Sequence, residues 1–549
     1  MKGWKNYLIQ LQDKIAGRQI WTHGIVLFGV IFLILGRLTA STADPDLWGY
    51  LSFGRLFWNS DGFPYHDIYA YTPTKDIWVY HEWLTGVIFY PLYVWLGTAS
   101  LQVMKYILGL GTALLILMTA RQRGASLPLA VIGLMLVSPL FGFSYSPVRA
   151  QAFTYLFLAL TIFILERSKA TDNQMQLLWL VPLFPLWANL HGGFIVGLGI
   201  IGFYAAGNLV AGRKAGLLIL VLGLSAALTF INPYGVNYWV YLVNAVTMPR
   251  PDIGEWQSLL WALKNGEYFV NAAYFIFLFA FIIIALLIVE TPIPKAKRSG
   301  IGKLNNPAKR RARYLAACCE MFPKLDLGFI PVISRRLNIT DALLIITTGY
   351  LAFRHIRHQS LFFITAGCLL PGYLTAIWKF VENSQEIANR WNKLTRAAIP
   401  ILFSLLILIY GFKFLSGHPF TLIASSRSDN SASEYYYPVS AVKYIRLAGI
   451  KGNMLTEFDW GEYIIWELNG NCRVAIDGRY ETVYPEYVSR EYFEFAAGGP
   501  DLRKYLDKYP HDLILLQHDN YICEIIRKQS DWKQIYIDAD SVLFMRNKK

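Results

Sequence analysis

The sequence predicts a mainly α-helical polytopic membrane protein of about eleven transmembrane helices, followed by a small α/β domain outside the membrane. Three observations predict it. The 549 residues are 55% hydrophobic and only 16% charged, where soluble domains carry about a quarter charged residues. Apolar runs recur along most of the chain, each bounded by polar or basic residues. The strongly basic connections between those runs all fall on one side of the implied membrane.

Composition narrows the partners. The net charge is +14, and much of the excess flanks apolar runs, which fits anionic lipid headgroups rather than nucleic acid. The 34 Tyr, 34 Phe and 17 Trp cluster near the ends of those runs, where amphipathic rings favour the interface. Five cysteines, Cys318, Cys319, Cys368, Cys472 and Cys523, lack metal-ligand spacing. Cys472 and Cys523 share the tail, either as a disulfide or as two buried thiols.

Taken in order, the N-terminal segment carries Lys2, Lys5, Lys14 and Arg18 against Asp13, ahead of the apolar run 21–38. That flank places the N-terminus in the cytoplasm. A cleaved signal peptide competes, since Ser41-Thr42-Ala43 is a small-residue site. The long apolar stretch and the repeated return to the membrane favour an anchored first helix.

Residues 40–99 form a long outer loop. It opens with Asp44-Pro45-Asp46, continues as an amphipathic stretch over 47–58, and turns through the Gly- and Pro-containing segment 61–64. A second segment starts at His81-Glu82, and residues 83–96 are apolar but short, so they lie along or dip into the interface.

Further apolar runs cover roughly 100–120, 126–143, 151–166, 176–190, 193–211, 215–231, 271–289, 339–353, 359–379 and 397–415. Arg121, Arg123, Arg167, Lys169, Arg213, Lys214, Lys379, Arg390 and Arg396 fall inside, as does the basic block 295–336. An odd number of spans then leaves residues 416–549 outside. The chain divides into a transmembrane domain over 1–415 and a soluble extracytoplasmic domain over 416–549. In the tail, 435–449 and 487–509 read as helices, 473–477 and 512–517 as strands, and 532–546 as a hairpin. There is no internal repeat and no transporter-like inverted symmetry.

Several residues could carry chemistry. Asp44 and Asp46, at i and i+2 beside the membrane surface, suit a general base or a hard cation, magnesium or manganese. The competing structural reading makes Asp46 the cap of the helix that follows and Asp44 a solvated neighbour. Arg354-His355-Ile356-Arg357-His358 sits at the outer end of a span, where cations are disfavoured, and Arg149 in the outer turn 144–151 breaks the same trend. Arginine suits bidentate contact with phosphate, and snorkelling to outer headgroups is the alternative. Asn189-Leu190-His191-Gly192-Gly193 reads as a tight outer turn. Glu255-Trp256 either lines a cavity or faces water. Asn338-Ile339-Thr340 has the glycosylation pattern on the inner side, where it has no such use.

The acidic pair at the start of the first outer loop, with two interfacial helices after it, resembles the C-type membrane glycosyltransferases (GT-C). These include protein O-mannosyltransferases, aminoarabinose transferases and oligosaccharyltransferase catalytic subunits. The resemblance implies a catalytic or metal-coordinating carboxylate at Asp44 or Asp46, and substrate contacts at His81 and Glu82. It also implies a polyprenyl-phosphate-linked sugar donor. In the tail, Phe458-Asp459-Trp460-Gly461, between a helix and the strand Arg473-Val474-Ala475-Ile476-Asp477, is similar to the soluble-domain entry of oligosaccharyltransferase subunits. That family carries Trp-Trp-Asp-Tyr-Gly there, so Asp459 and Trp460 become candidates for substrate contact. A packed aromatic turn that needs Gly461 for backbone geometry is the bland alternative.

The expectation is therefore an inverting glycosyltransferase of the plasma (inner) membrane. It would move sugar from a polyprenyl-phosphate donor to a glycan, lipid or protein acceptor at the outer face. Asp44 or Asp46 would be catalytic, with Asp44 favoured, and Arg149, Arg354 and Arg357 would contact phosphate. A metal is optional, because a lipid monophosphate carries less charge than a nucleotide diphosphate. Two other classes stay open: a non-catalytic assembly or binding protein, and a lipid or polysaccharide transporter.

Overall fold

The computed structural model describes residues 24–139, 147–266, 269–289, 338–382, 385–427, 435–499 and 502–547. The basic N-terminal segment, the end of the run reaching 143, the start of the turn 144–151, the basic block 295–336 and Cys318 and Cys319 lie outside the described residues.

The chain is mostly helical, with one small sheet near its C-terminus. Four described helices are long and apolar enough to cross a membrane: Thr98–Gln122, Phe269–Leu287, Ile356–Lys379 and Ala398–Ser416. Five more apolar helices are shorter, among them Leu127–Val137, Phe194–Val210 and Gly216–Leu228. The expectation of about eleven full spans counted whole apolar runs. The run 176–190 is not a single helix. It begins as the 3-10 turn Gln174–Trp179 and continues as an 11-residue helix with Pro185 inside.

The first outer loop holds two helices in contact, Pro45–Asn59 and Trp83–Leu96. Two glycines let them approach: a side chain at Gly54 would collide with the Gly86 carbonyl. Gln102 and Lys105, near the start of the next helix, both donate to the Ala40 carbonyl at 3.1 Å, which ties the loop's first residues to the bundle.

The tail sheet has the order β2-β1-β3-β5-β4. Strands β1 (Gly452–Thr456), β2 (Cys472–Val474) and β3 (Leu513–Gln517) are parallel, and β4 (Trp532–Ile537) and β5 (Ser541–Arg546) form an antiparallel hairpin beside them. The helix Gly461–Leu468 is the crossover from β1 to β2. Residues 487–509, read as one helix, are two, Glu486–Ala496 and Leu502–Lys508. Cys472 and Cys523 are both buried free thiols.

Loop and tail are welded together, which puts them on the same side of the membrane. Ala70 pairs with Val474 as an extra bridge on the β2 edge, and the Val474 amide donates to the Tyr69 carbonyl at 2.9 Å. Beneath it, Arg479 is fully buried between Asp67 and Asp477, with its Nη2 2.6 Å from Asp477 Oδ2. Tyr484 adds a hydroxyl to the same Asp477 oxygen at 2.7 Å.

Candidate active site

The loops at the carboxyl ends of β1 and β2 face the first helix of the outer loop, as ligand crevices do in parallel sheets. Between them lies a cavity of about 440 Å³. The outer loop contributes Asp46, His81 and Glu82, the turn beyond residue 146 contributes Arg149, and residues 250–256 contribute Arg250 and Glu255. Arg357 comes from the start of a span, and Asp459, Glu462 and Arg479 from the tail.

The acidic pair divides its labour in the order opposite to that expected. Asp44 is the helix cap: its Oδ1 accepts the Asp46 amide at 3.1 Å, with Pro45 at the first helical position. It is wholly buried, and its Oδ2 lies 2.5 Å from Arg149 Nε. Asp46 instead lines the cavity with 37% of its side chain exposed, 3.9 Å from the same Arg149 nitrogen. Burial pushes the Asp46 carboxyl above its ordinary value, against the pull of Arg149. A guanidinium thus stands where a divalent cation bound by the pair would sit. Among the described residues no group of three or more His, Cys, Asp or Glu side chains could hold a metal. The donor set fits arginine rather than magnesium or manganese.

Arg149 continues the chain of charge. Its Nη1 reaches Glu255 Oε2 at 2.8 Å, and Glu255 Oε1 meets Arg357 Nη1, also at 2.8 Å. Arg149 Nη2 adds the Tyr435 hydroxyl at 3.1 Å. The Trp256 ring stacks against two guanidiniums, Arg250 at 4.2 Å and Arg357 at 4.6 Å. Arg250 in turn pairs with Glu481 at 2.6 Å. Burial pushes the Glu255 carboxyl up, but Arg357 and Arg149 outweigh it and hold it at about 2.

On the opposite wall, Glu82 lies 3.4 Å from His191 Nε2 and 3.7 Å from His81 Nε2. The Gly193 amide donates to His191 Nδ1 at 2.8 Å, so the ring proton sits on Nε2 and faces Glu82. Burial keeps His191 neutral, well below its usual range, and pushes the Glu82 carboxyl up to about 8. Gln151 Oε1 also lines the cavity and is a buried acceptor with no hydrogen-bond partner among the described residues.

Of the sequence candidates, Asp46, His81, Glu82, Arg149, Arg357 and Asp459 come together in this cavity. Asp44 stands directly behind it. Arg354 does not join them: it is exposed at the end of the helix Ile339–Arg354, one turn before the segment that reaches the cavity. Trp460 does not face the cavity either. It is 2% exposed, and its indole N–H donates to the Tyr436 carbonyl at 2.7 Å, so it anchors the turn from within. Gly461 is required by close packing rather than by an unusual φ, since a side chain there would lie 2.5 Å from Asp477 Cβ. Asn338 caps the helix that starts at Ile339, with its Oδ1 accepting the Asp341 amide.

Sequence reasoning missed Arg250, Glu462, Arg479 and Glu481. Glu462 accepts the Gly49 amide at 3.2 Å, and a side chain at Gly49 would lie 2.5 Å from its carboxylate. Gly49 was a signal of close approach, but a single sequence does not say to what.

No protein-family model matches the chain, and no curated protein matches it. Among solved structures it is similar to the archaeal oligosaccharyltransferase AglB from Archaeoglobus fulgidus, in complex with an inhibitory peptide and a dolichol-phosphate. Identity there is 13% over 91% of this chain and 69% of that one, with a TM-score of 0.47. It is also similar to ArnT from Cupriavidus metallidurans in the apo state, at 14% identity over 96% of this chain and 98% of that one, with a TM-score of 0.48. For the same protein bound to undecaprenyl phosphate, the values are 13%, 95%, 97% and 0.44.

Proposed function

We propose that this protein is an integral membrane glycosyltransferase of the GT-C kind, moving sugar from a polyprenyl-phosphate-linked donor to an acceptor at the outer membrane face. The observation that carries the reading is the meeting, in one cavity, of the Asp46 carboxylate with the guanidiniums of Arg149 and Arg357. Asp46 is the base. It takes the proton from an acceptor hydroxyl or amine, whose freed electron pair attacks the anomeric carbon. The bond from that carbon to the phosphate oxygen breaks, and the lipid phosphate leaves with the bonding pair, stabilised by Arg149 and Arg357. Attack opposite the leaving group inverts the centre. No step needs a metal. Gln151 Oε1, without a hydrogen-bond partner among the described residues, is an acceptor suited to a sugar hydroxyl.

A second groove of about 1050 Å³ shares Asp252, Tyr480, Glu481 and Thr482 with the cavity and opens past Val240 and Phe493. Its mixed apolar and polar walls suit the approach of the acceptor. With the N-terminus in the cytoplasm of a plasma (inner) membrane, cavity and tail face outward.

The test is mass spectrometry of cell-surface glycans, lipids and glycoproteins from cells with the protein, without it, and with Asp46→Asn. A glycan lost in both altered cells supports the reading. Unchanged profiles throughout leave the assembly-protein alternative in front.

A further inference from the structure

The two carboxylate oxygens of Glu255 are shared out one to each guanidinium, Oε2 to Arg149 and Oε1 to Arg357, both at 2.8 Å. This is the geometry in which two arginines grip two oxygens of one phosphate. A phosphodiester carries one negative charge, as the Glu255 carboxylate does, so exchanging one for the other leaves the local charge unchanged.

The surroundings separate the Glu255 side chain from its backbone. The backbone is pinned on its C-terminal side: the Ile356 amide donates to the Gln257 carbonyl at 3.0 Å, and His355 Nδ1 lies 2.6 Å from the Trp256 carbonyl oxygen. The arginines are held independently of Glu255, Arg149 by Asp44 and Tyr435, and Arg357 by the face of Trp256. The side chain of Glu255 itself is 26% exposed, more than Arg149 at 13% or Arg357 at 21%. Rotation about its side-chain bonds would move the carboxylate without asking the pinned backbone to move.

We propose that Arg149 and Arg357 form a phosphate seat in which Glu255 is the chain's own stand-in, swinging out when a phosphate group enters and back in when it leaves. This rests on the reading of the cavity as a lipid-phosphate site. It adds that the empty enzyme is self-occupied, which lowers its affinity for phosphate and helps to expel the lipid phosphate after transfer. That product carries up to one more negative charge than the donor diester, so without the competing carboxylate it would be held hardest.

The experiment is calorimetric titration of the full-length protein in nanodiscs with farnesyl phosphate, with inorganic phosphate, and with farnesol as the chain-only control. Glu255→Gln keeps the shape and removes the competing charge. It should tighten farnesyl phosphate binding by about tenfold or more and leave farnesol unchanged. Tightening with inorganic phosphate as well assigns the seat to the phosphate group alone; tightening with farnesyl phosphate only assigns it to the lipid-anchored group. If Glu255→Gln does not insert, Glu255→Asp, one methylene shorter, should shift binding in the same direction by less. Equal or weaker binding by the variants, with clear binding by the wild type, overturns the stand-in and leaves the functional reading intact. Absence of farnesyl phosphate binding in every protein overturns both.

Discussion

Asp44 holds Asp46 in place: the carboxylate of the first receives the backbone amide of the second at 3.1 Å, at the start of a helix that Pro45 opens. The two acids should therefore fail differently. Asp46→Asn should insert and melt normally yet lose turnover by about 10²-fold or more. Asp44→Asn keeps a competent cap but puts an amide N–H where Oδ2 accepts from buried Arg149, so it should lower stability by roughly 1–3 kcal/mol. Turnover assays beside thermal unfolding of both variants separate the roles. A base must be ionised to act and burial raises the Asp46 pKa, so the proposed mechanism predicts activity that climbs with pH above the ordinary carboxylate value of 3.8.

The two arginines of the outer basic cluster should also part. Arg357 lines the cavity and Arg354 does not. Arg357→Ala should weaken binding of a polyprenyl-phosphate donor by roughly 1.5–3 kcal/mol. Arg354→Ala should leave it unchanged. Donor titration of both variants checks this, and equal effects would place the phosphate elsewhere.

Glu82 predicts a pH-dependent stability with a definite sign. Its folded pKa, about 8, lies above the ordinary 4.5, so the folded state holds the proton more tightly. The stability this contributes is complete below pH 4.5 and is lost as pH rises towards 8. Melting temperatures of wild type and Glu82→Gln across that window should diverge, with the wild type losing more as pH rises.

Arg479 should be the most costly residue to remove from the junction of loop and tail. Arg479→Ala leaves the buried Asp67 and Asp477 carboxylates without their shared counter-charge. The expected loss is roughly 3–5 kcal/mol. Limited proteolysis should then cut the tail while the spanning helices stay protected.

What was legible in the sequence was local. The outer-loop helices, the strand at 513–517 and the closing hairpin follow from periodicity and turn residues. The cap was legible too: proline at the first helical position calls for the acid immediately before it, so Asp44-Pro45 outranks Asp46 as the cap signal. The ion pairs were not legible. Arg149 meets Glu255 across 106 residues, and Arg250 meets Glu481 across 231, distances over which one sequence carries no periodic signal. The count of about eleven spans rested on whole apolar runs; four described helices are long and apolar enough to cross a membrane, and the run 176–190 divides into a 3-10 turn and a shorter helix.

The edge bridge between Ala70 and Val474 has a consequence for the order of events in synthesis. One wall of the cavity is made early, at residues 44–82, and the other last, from residue 458 onward. On the proposed reading, a ribosome that has delivered Asp46, Arg149 and Arg357 has still not produced the wall that Asp459, Glu462 and Arg479 supply. That wall forms when the tail folds and docks its β2 edge on the waiting loop. A chain stopped near residue 450 would carry the proposed base and the phosphate arginines in a cavity open on one side, so turnover should report that the tail has docked.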